Sequence, residues 1–138
     1  MNNVYMDDYC RLMDSLKLNH TKTAENIVRV PYKASNAEGL SVYIIFDKAG
    51  GNTVEYRVHT HESFAGAGRL SRGLILCNSL NALYRWSRFY LDETQELLAE
   101  IDVPLPEKDA GKVCKKYCDV LARNVDVVYP EIRKALGK

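Results

Sequence analysis

Two histidines that lie two positions apart come closest, by type and spacing, to a metal site. His59, Thr60, His61 and Glu62 are consecutive, and residues i and i+2 of a strand share a face, so both imidazoles could bind one transition-metal ion. The local pattern lacks a third ligand, because the remaining histidine, His20, is distant in the sequence. We therefore expect solvated strand histidines, no metal site and no cofactor.

The same histidines are also the nearest approach to a catalytic set. A nucleophile, a base and an orienting group would have to come from His59 or His61 with Ser63 or Glu62. Adjacent residues of a strand point to opposite faces, however, and cannot make the required contacts directly. The sequence also lacks a GxSxG elbow, a GxxxxGK[ST] phosphate loop and a paired-carboxylate motif. We predict no catalytic residues and no enzyme, with a small enzyme of unrecognised type as an alternative.

Two cysteines one helical turn apart could hold half of a metal site or form a redox couple. Cys114 and Cys118 have this spacing, and Cys10 and Cys77 bring the number of cysteines to four. All four lie in apolar helical patterns, in a chain long enough to fold without disulfides. We predict reduced core cysteines rather than disulfides.

Asn78 and Asn81 flank the apolar face of a helical segment and could bind an amide of a ligand. An asparagine side chain in this position can also cap adjacent backbone or hydrogen-bond a neighbouring strand. We favour this structural role over ligand binding.

Length and charge limit the classes of protein that this chain could be. Its 138 residues, 46% of them hydrophobic, predict one domain over 1–138 with one core. Nineteen basic and eighteen acidic residues give a net charge of +1, so no overall field attracts nucleic acid or an anionic membrane. The first residues do not show the basic region, apolar run and cleavage site of a secretion signal, and no apolar stretch is long enough to span a membrane. We predict a cytoplasmic protein.

Hydrophobic periodicity predicts an α+β fold in the order α-β-β-β-α-β-β-α. The predicted helices cover 4–17, 69–85 and a long segment from Asp109, and the predicted strands cover 25–33, 40–47, 53–62, 86–92 and 96–103. The glycines of KAGGN and the turn DETQ join neighbouring strands as hairpins. The result is a mainly antiparallel sheet of about five strands covered by helices. Pro130 predicts a kink or break near Asp126 to Tyr129, and Leu74 and Ile75 suggest that the second helix is buried on more than one side.

Alternation along the strands predicts the residues that could bind a partner. If Phe46, Val58, Phe89 and Ile101 face the helices, an aromatic and apolar patch lies on the opposite face, with a rim of charged residues: Glu55, Arg57, Arg88 and Glu100. The residues predicted to make contact are Tyr43, Ile45, Trp86, Arg88, Tyr90 and Leu98. Tyrosine, tryptophan and arginine commonly anchor protein interfaces. The alternative is that the second or third helix covers this face, which would make the patch ordinary core.

A second functional alternative is binding of single-stranded nucleic acid. Four arginines, Arg69, Arg72, Arg85 and Arg88, surround the aromatic residues Tyr84, Trp86 and Tyr90, and such binders combine cations with stacking platforms. The near-neutral total charge and the acidic residues Asp92, Glu93 and Glu96 oppose this interpretation. We therefore expect another polypeptide, rather than nucleic acid or a membrane, as the partner.

The C-terminal half also resembles a known family. The run CNSLNALYRWSRFYLD (Cys77 to Asp92), the strand that ends at Val103, Pro104 and Leu105, and a last helix with Tyr129, Pro130 and Glu131 are similar to the YbjN family of small bacterial proteins. The resemblance covers about the last seventy residues. It implies a fold like that of type III secretion chaperones, which are often dimeric and hold other polypeptides. Members are described as candidate sensory transduction regulators, without an established activity, cofactor or catalytic residue.

These expectations combine into one functional prediction. The chain is expected to be a non-catalytic protein-binding or chaperone-like protein, with a regulatory role in bacterial signalling as one version of that function. Its partner is a client or regulatory polypeptide, and a homodimer is an alternative arrangement.

Overall fold

The computed structural model describes residues 3–138, so the first two residues of the domain predicted over 1–138 lie outside the described part. The elements are α1 (Val4–Ser15), β1 (Thr21–Ala24), β2 (Ile27–Pro31), β3 (Ser41–Phe46), β4 (Thr53–Ser63), α2 (Arg69–Leu83), β5 (Arg88–Leu91), β6 (Glu96–Pro104) and α3 (Ala110–Ala135). The strands form one antiparallel sheet in the order β1-β2-β3-β4-β6-β5. The predicted α+β class and antiparallel sheet are confirmed.

The sheet has one strand more than predicted. β1 precedes β2 as the first arm of a hairpin, with Thr21 opposite Arg29. Its four residues, TKTA, are all exposed, so the strand has no buried face and shows no apolar alternation. Asn26 in the connecting turn donates a hydrogen bond through Nδ2 to the carbonyl of Phe46 at 2.7 Å, which fixes the hairpin to β3. Backbone pairing rather than burial therefore creates this strand.

The other two hairpins follow the sequence prediction. Between β3 and β4 the chain turns through Gly50, whose φ of +88° favours glycine. Between β5 and β6 the carboxylate of Asp92 accepts hydrogen bonds from the backbone N–H groups of Thr94 (2.8 Å) and Glu96 (3.0 Å). Both turns are thus stabilised locally, which explains why sequence was sufficient to predict them.

The helices pack on the face of the sheet that carries the alternating buried side chains of each strand. α3 contacts β3, β4 and β6, α1 packs against α3, and α2 packs against β5 and α3. The hydroxyl of Tyr56, on the buried face of β4, donates to the carbonyl of Cys114 in α3 at 3.0 Å. None of the helices in residues 3–138 is both long and apolar enough to cross a membrane.

α2 is less buried than its sequence suggested. Gly73, Cys77 and Leu80 face the core, whereas Leu74, Ile75 and Leu83 are 53%, 67% and 76% exposed. The prediction of a helix buried on more than one side is therefore wrong. Gly73 has a packing role instead, because a Cβ there would lie 2.7 Å from the ring of Phe64.

α3 is continuous through Pro130, so the predicted break near Asp126 to Tyr129 is wrong. Proline lacks the N–H that would bond the carbonyl of residue i−4, which here is Asp126. That carbonyl accepts a hydrogen bond from Nδ2 of Asn36 at 3.0 Å instead. The Asp126 carboxylate in turn accepts from the backbone N–H groups of Ser35, Asn36 and Ala37 at 2.7–3.0 Å. The loop after β2 therefore supplies the bond that proline removes.

We predict that Asp126→Ala lowers the free energy of unfolding by about 1–2 kcal/mol, because three loop amides lose their acceptor. Burial acts to raise the pKa of Asp126, but these amides outweigh it and leave the pKa below its usual value. The measurement is urea denaturation, with hydrogen exchange of the 35–37 amides. Glu131→Ala, an exposed carboxylate on the same helix, is the control and should change stability by less than about 0.5 kcal/mol. An equal effect of both variants would contradict this role for Asp126.

Candidate functional site

The second face of the sheet carries no helix among residues 3–138, and the candidate site lies on it. Pairing of the strands aligns the side chains of this open face in rows across the sheet. The central row consists of Arg29, Tyr43, Arg57, Glu100 and Arg88, each opposite the next on neighbouring strands. One adjacent row contains Ile27, Ile45, Glu55 and Asp102, and the other contains His59, Leu98 and Tyr90. Of the two predicted arrangements, the uncovered face is the observed one.

Five of the six predicted contact residues lie on this open face. Tyr43 and Ile45 are on β3, Arg88 and Tyr90 are on β5, and Leu98 is on β6 opposite both His59 and Tyr90. Leu98 is only 4% exposed, although it lies on the open face. It can support a contact surface but presents little area of its own. The binding role of all five residues stays a prediction.

Trp86 is not on the open face, so its predicted placement is wrong. β5 begins at Arg88, and Trp86 precedes it in a left-handed conformation with a φ of +71°. Its ring packs edge-on against Tyr117 of α3, with 5.4 Å between the ring centroids, and is 62% exposed. Alternation of side chains holds only within a regular strand, and the left-handed residue interrupts it. Trp86 therefore lies on the helical side of the molecule.

The centre of the open face is ionic, whereas the sequence predicted charges only at its rim. Oε2 of Glu100 accepts hydrogen bonds from Nε of Arg57 at 2.5 Å and from the Tyr90 hydroxyl at 2.8 Å, and Oε1 accepts from Nη2 of Arg88 at 2.5 Å. Glu100 is 1% exposed although no helix of residues 3–138 covers it, since these three side chains enclose it. The alternating pattern could place all four residues on one face, but it could not reveal that they bond to one another.

The ionic cluster shifts the ionisation of its members. Burial acts to raise the pKa of Glu100, but the hydrogen bonds from Tyr90 and the two arginines outweigh it and lower the pKa below its usual value. Burial and the hydrogen bond to Glu100 raise the pKa of Tyr90 to about 12. Nη2 of Arg57 also bonds Glu55 at 3.0 Å, and Nη1 of Arg88 bonds Asp102 at 2.9 Å. Both arginines are therefore held in fixed positions by two carboxylates each.

The two histidines of β4 lie beside this cluster. The His59 and His61 rings stack with centroids 6.2 Å apart, and the Tyr43 ring packs edge-on against His59. His61 has a φ of +60° where the β4–β6 register shifts, and its backbone N–H donates to Oε2 of Glu96 at 3.0 Å. Nδ1 of His59 and Nδ1 of His61 lie 3.5 and 3.9 Å from the Glu96 carboxylate oxygens. Within residues 3–138, no group of three or more His, Cys, Asp or Glu side chains is placed to hold a metal ion.

The cysteines and Asn81 have structural roles. All four cysteines are free, as predicted. Burial raises the pKa of Cys118 to about 12 and that of Cys77 to about 11, which keeps both thiols protonated. Oδ1 of Asn81 accepts from the backbone N–H of Phe89 at 2.7 Å, and its Nδ2 donates to the Phe89 carbonyl at 3.0 Å. The predicted hydrogen bond to a neighbouring strand is confirmed for Asn81. It satisfies the Phe89 backbone groups on the outer edge of β5, the edge strand of the sheet.

The arginine and aromatic cluster proposed for nucleic acid is divided by the fold. Tyr90 and Arg88 lie on the open face, whereas the Tyr84 ring packs against Phe89 on the opposite side of the sheet. Trp86 packs on the helical side as well. Arg88 is already paired with two carboxylates. No single surface therefore combines all three rings of the predicted set, and only the Tyr90 ring lies on the face that carries Arg88.

A comparison with solved structures identifies the fold. The chain superposes on the crystal structure of YbjN from E. coli, a candidate transcription regulator, with a TM-score of 0.68 over 94% of this chain and 91% of that one. It has the YbjN fold. Sequence identity is 13%, so the likeness concerns the fold alone. No protein-family model matches the sequence, and no curated protein matches it. The predicted resemblance to YbjN is thus confirmed at the level of the fold, and it extends over both halves of the chain.

Proposed function

We propose that this chain is a non-catalytic protein-binding protein, regulatory or chaperone-like, that binds another polypeptide in the cytoplasm through the open face of its sheet. The observation that carries the proposal is the cross-strand placement of Tyr43, Arg57, Arg88 and Tyr90 on strands without a helix above them in residues 3–138. Tyrosine and arginine are the residue types that most often dominate the energy of protein interfaces. An uncovered sheet face of this composition is suited to binding a polypeptide.

The ionic cluster supports the proposal because it fixes the arginines before a partner arrives. Ordering a long side chain on binding costs about 0.5–1.5 kcal/mol. Arg57 and Arg88 are held by Glu100, so much of that cost is met during folding. The Arg57 and Arg88 side chains remain partly exposed, at 33% and 54%, and can contact a partner.

The apolar part of the surface is smaller than the sequence suggested. Ile27 and Ile45 lie opposite each other at one side of the central row, while Leu98 supports Tyr90 at the other side. A partner that fits this face would present polar groups to the centre and apolar side chains to Ile27 and Ile45. A second copy of the chain is the alternative to a different polypeptide. The YbjN fold is compatible with a regulatory role.

The proposal is tested by light scattering on protein eluting from a sizing column and by site-specific photo-crosslinking at position 45, an open-face position that the variants leave unchanged. We expect Tyr43→Ser with Tyr90→Ser to lose self-association, or crosslinking to one discrete partner, while circular dichroism stays unchanged. The control is Ile75→Ser with Leu83→Ser, which removes two exposed apolar side chains from α2 instead. If the control loses the assembly and the tyrosine variant retains it, the open face is not the binding surface.

A further inference from the structure

A groove between α1 and α3, away from the open sheet face, has an apolar floor and a basic rim. Leu12 of α1, Leu16 directly after α1, and Val120 of α3 form the floor, and the groove has a volume of about 640 Å³. Leu16, which follows the last residue of α1, is 49% exposed although its side chain is apolar. The groove exists because α1 lies directly on α3, where the absence of a side chain at Gly111 allows close approach.

Four cations line this groove together with one carboxylate. They are Lys112, Lys115, Lys116 and Arg123, and the carboxylate is Asp119. Both carboxylate oxygens of Asp119 already accept hydrogen bonds within the protein: Oδ2 from Nζ of Lys115 at 2.7 Å, and Oδ1 from the hydroxyl of Tyr32 at 2.7 Å. Within residues 3–138, Lys112, Lys116 and Arg123 form no ion pair. The chain as a whole carries a net charge of +1, so this rim is a local concentration of positive charge.

We propose that the α1–α3 groove binds an acidic amphipathic helix from a partner protein. Its apolar side chains would cover Leu12, Leu16 and Val120, and its carboxylates would pair with Lys112, Lys116 and Arg123. Lys112 and Arg123 are about 16 Å apart along α3 at 1.5 Å per residue, which is the length of about three helical turns. A ligand helix of that length can therefore contact the whole rim.

Charge and chemistry distinguish this occupant from others. A second copy of the chain that presented the same groove would place like charges opposite each other, which opposes self-association. A nucleic-acid backbone would pair with the cations but leave the leucine and valine floor uncovered, and stacking rings do not line the groove. An acidic amphipathic helix can pair its carboxylates with the cations of the rim and also cover the apolar floor.

The test is fluorescence anisotropy with a labelled synthetic helix of about 15 residues, a length that covers the rim. The probe carries leucines on one face and glutamates beside them, and two further peptides replace either the glutamates with lysine or the leucines with glutamine. We expect saturable binding of the acidic leucine peptide alone, weakening as salt rises. Equal binding of the peptide without leucines, or tighter binding of a single-stranded oligothymidine, would overturn the proposal.

Variants of the protein locate the site. Lys112→Glu with Lys116→Glu should weaken peptide binding at least about tenfold, and Leu16→Asn should weaken it about threefold. Lys48→Glu with Arg85→Glu makes the same change in total charge at two exposed residues outside the groove and should leave the affinity unchanged. Tyr43→Ser with Tyr90→Ser should also leave it unchanged, which separates this proposal from the one for the open face. Equal losses in the Lys112/Lys116 and Lys48/Arg85 variants would refute the groove as the site.

Discussion

Glu100→Ala is expected to lower the free energy of unfolding by about 2–3 kcal/mol. The variant leaves the guanidinium groups of Arg57 and Arg88 and the hydroxyl of Tyr90 without their shared acceptor. Removing one partner of a fully buried ion pair costs about 3–5 kcal/mol, but both arginines are partly exposed and water screens part of this loss. The measurement is chemical denaturation at pH 7.

Glu55→Ala is the matched control, since Glu55 pairs with the same Arg57 on the same face but is 31% exposed. We expect its effect to stay below about 1 kcal/mol. An effect of Glu55→Ala as large as that of Glu100→Ala would show that enclosure of the carboxylate is unimportant.

The same carboxylate should make stability depend on pH. The pKa of Glu100 is lowered in the folded state, so its charged form contributes stability that is fully present above the unfolded value of about 4.3. This contribution is lost as pH falls through the lower, folded pKa. The stability difference between wild type and Glu100→Gln should therefore be largest at neutral pH and shrink below about pH 4. A difference that stays constant down to about pH 3 would contradict the lowered pKa.

The Glu100 variants also connect stability with the proposed function. Glu100 holds two arginines and one tyrosine of the open face in place. A Glu100→Gln protein that is still folded should therefore bind a partner of this face more weakly, because the arginines regain their freedom. Binding of the acidic peptide to the α1–α3 groove should remain unchanged.

Gly111→Ala is expected to destabilise the fold by about 2 kcal/mol, although alanine normally stabilises a helix by about 1 kcal/mol relative to glycine. A Cβ at position 111 would lie 2.9 Å from the carbonyl oxygen of Asp8 and 3.2 Å from its carbonyl carbon. Both atoms belong to the backbone of α1, so the helix has to move as a whole. The measurement is again chemical denaturation, with hydrogen exchange of α1 amides to detect its separation.

Lys112→Ala provides the control for Gly111→Ala because it changes the next residue of α3, which is exposed. Its stability should change by less than about 0.5 kcal/mol. A Gly111→Ala protein as stable as the wild type would show that α1 can shift without cost. In that case the shape of the groove would not depend on this glycine.

Local patterns in the sequence determined much of the fold. Alternation along the strands predicted that Tyr43, Ile45, Tyr90 and Leu98 lie on the face opposite the core. The glycines of the turn, which allow a positive φ, predicted the β3–β4 hairpin. These features depend on neighbours within a few residues, so the sequence carries them directly. β1 escaped prediction because its exposed residues have no apolar periodicity.

Only the tertiary structure decided which side chains meet. Trp86 does not lie on the open face, because its own left-handed backbone conformation interrupts the alternation of the strand. Pro130 lies within a helix because Asn36, distant in the sequence, donates a hydrogen bond to the Asp126 carbonyl that proline leaves without a donor. Glu100 is buried by three side chains from β4 and β5, and the α1–α3 groove joins residues from opposite ends of the chain. Such contacts depend on the packing of whole elements, which periodicity in one segment cannot specify. The sequence by itself therefore determined the elements and the faces of most strands, while the tertiary structure decided the character of both candidate surfaces.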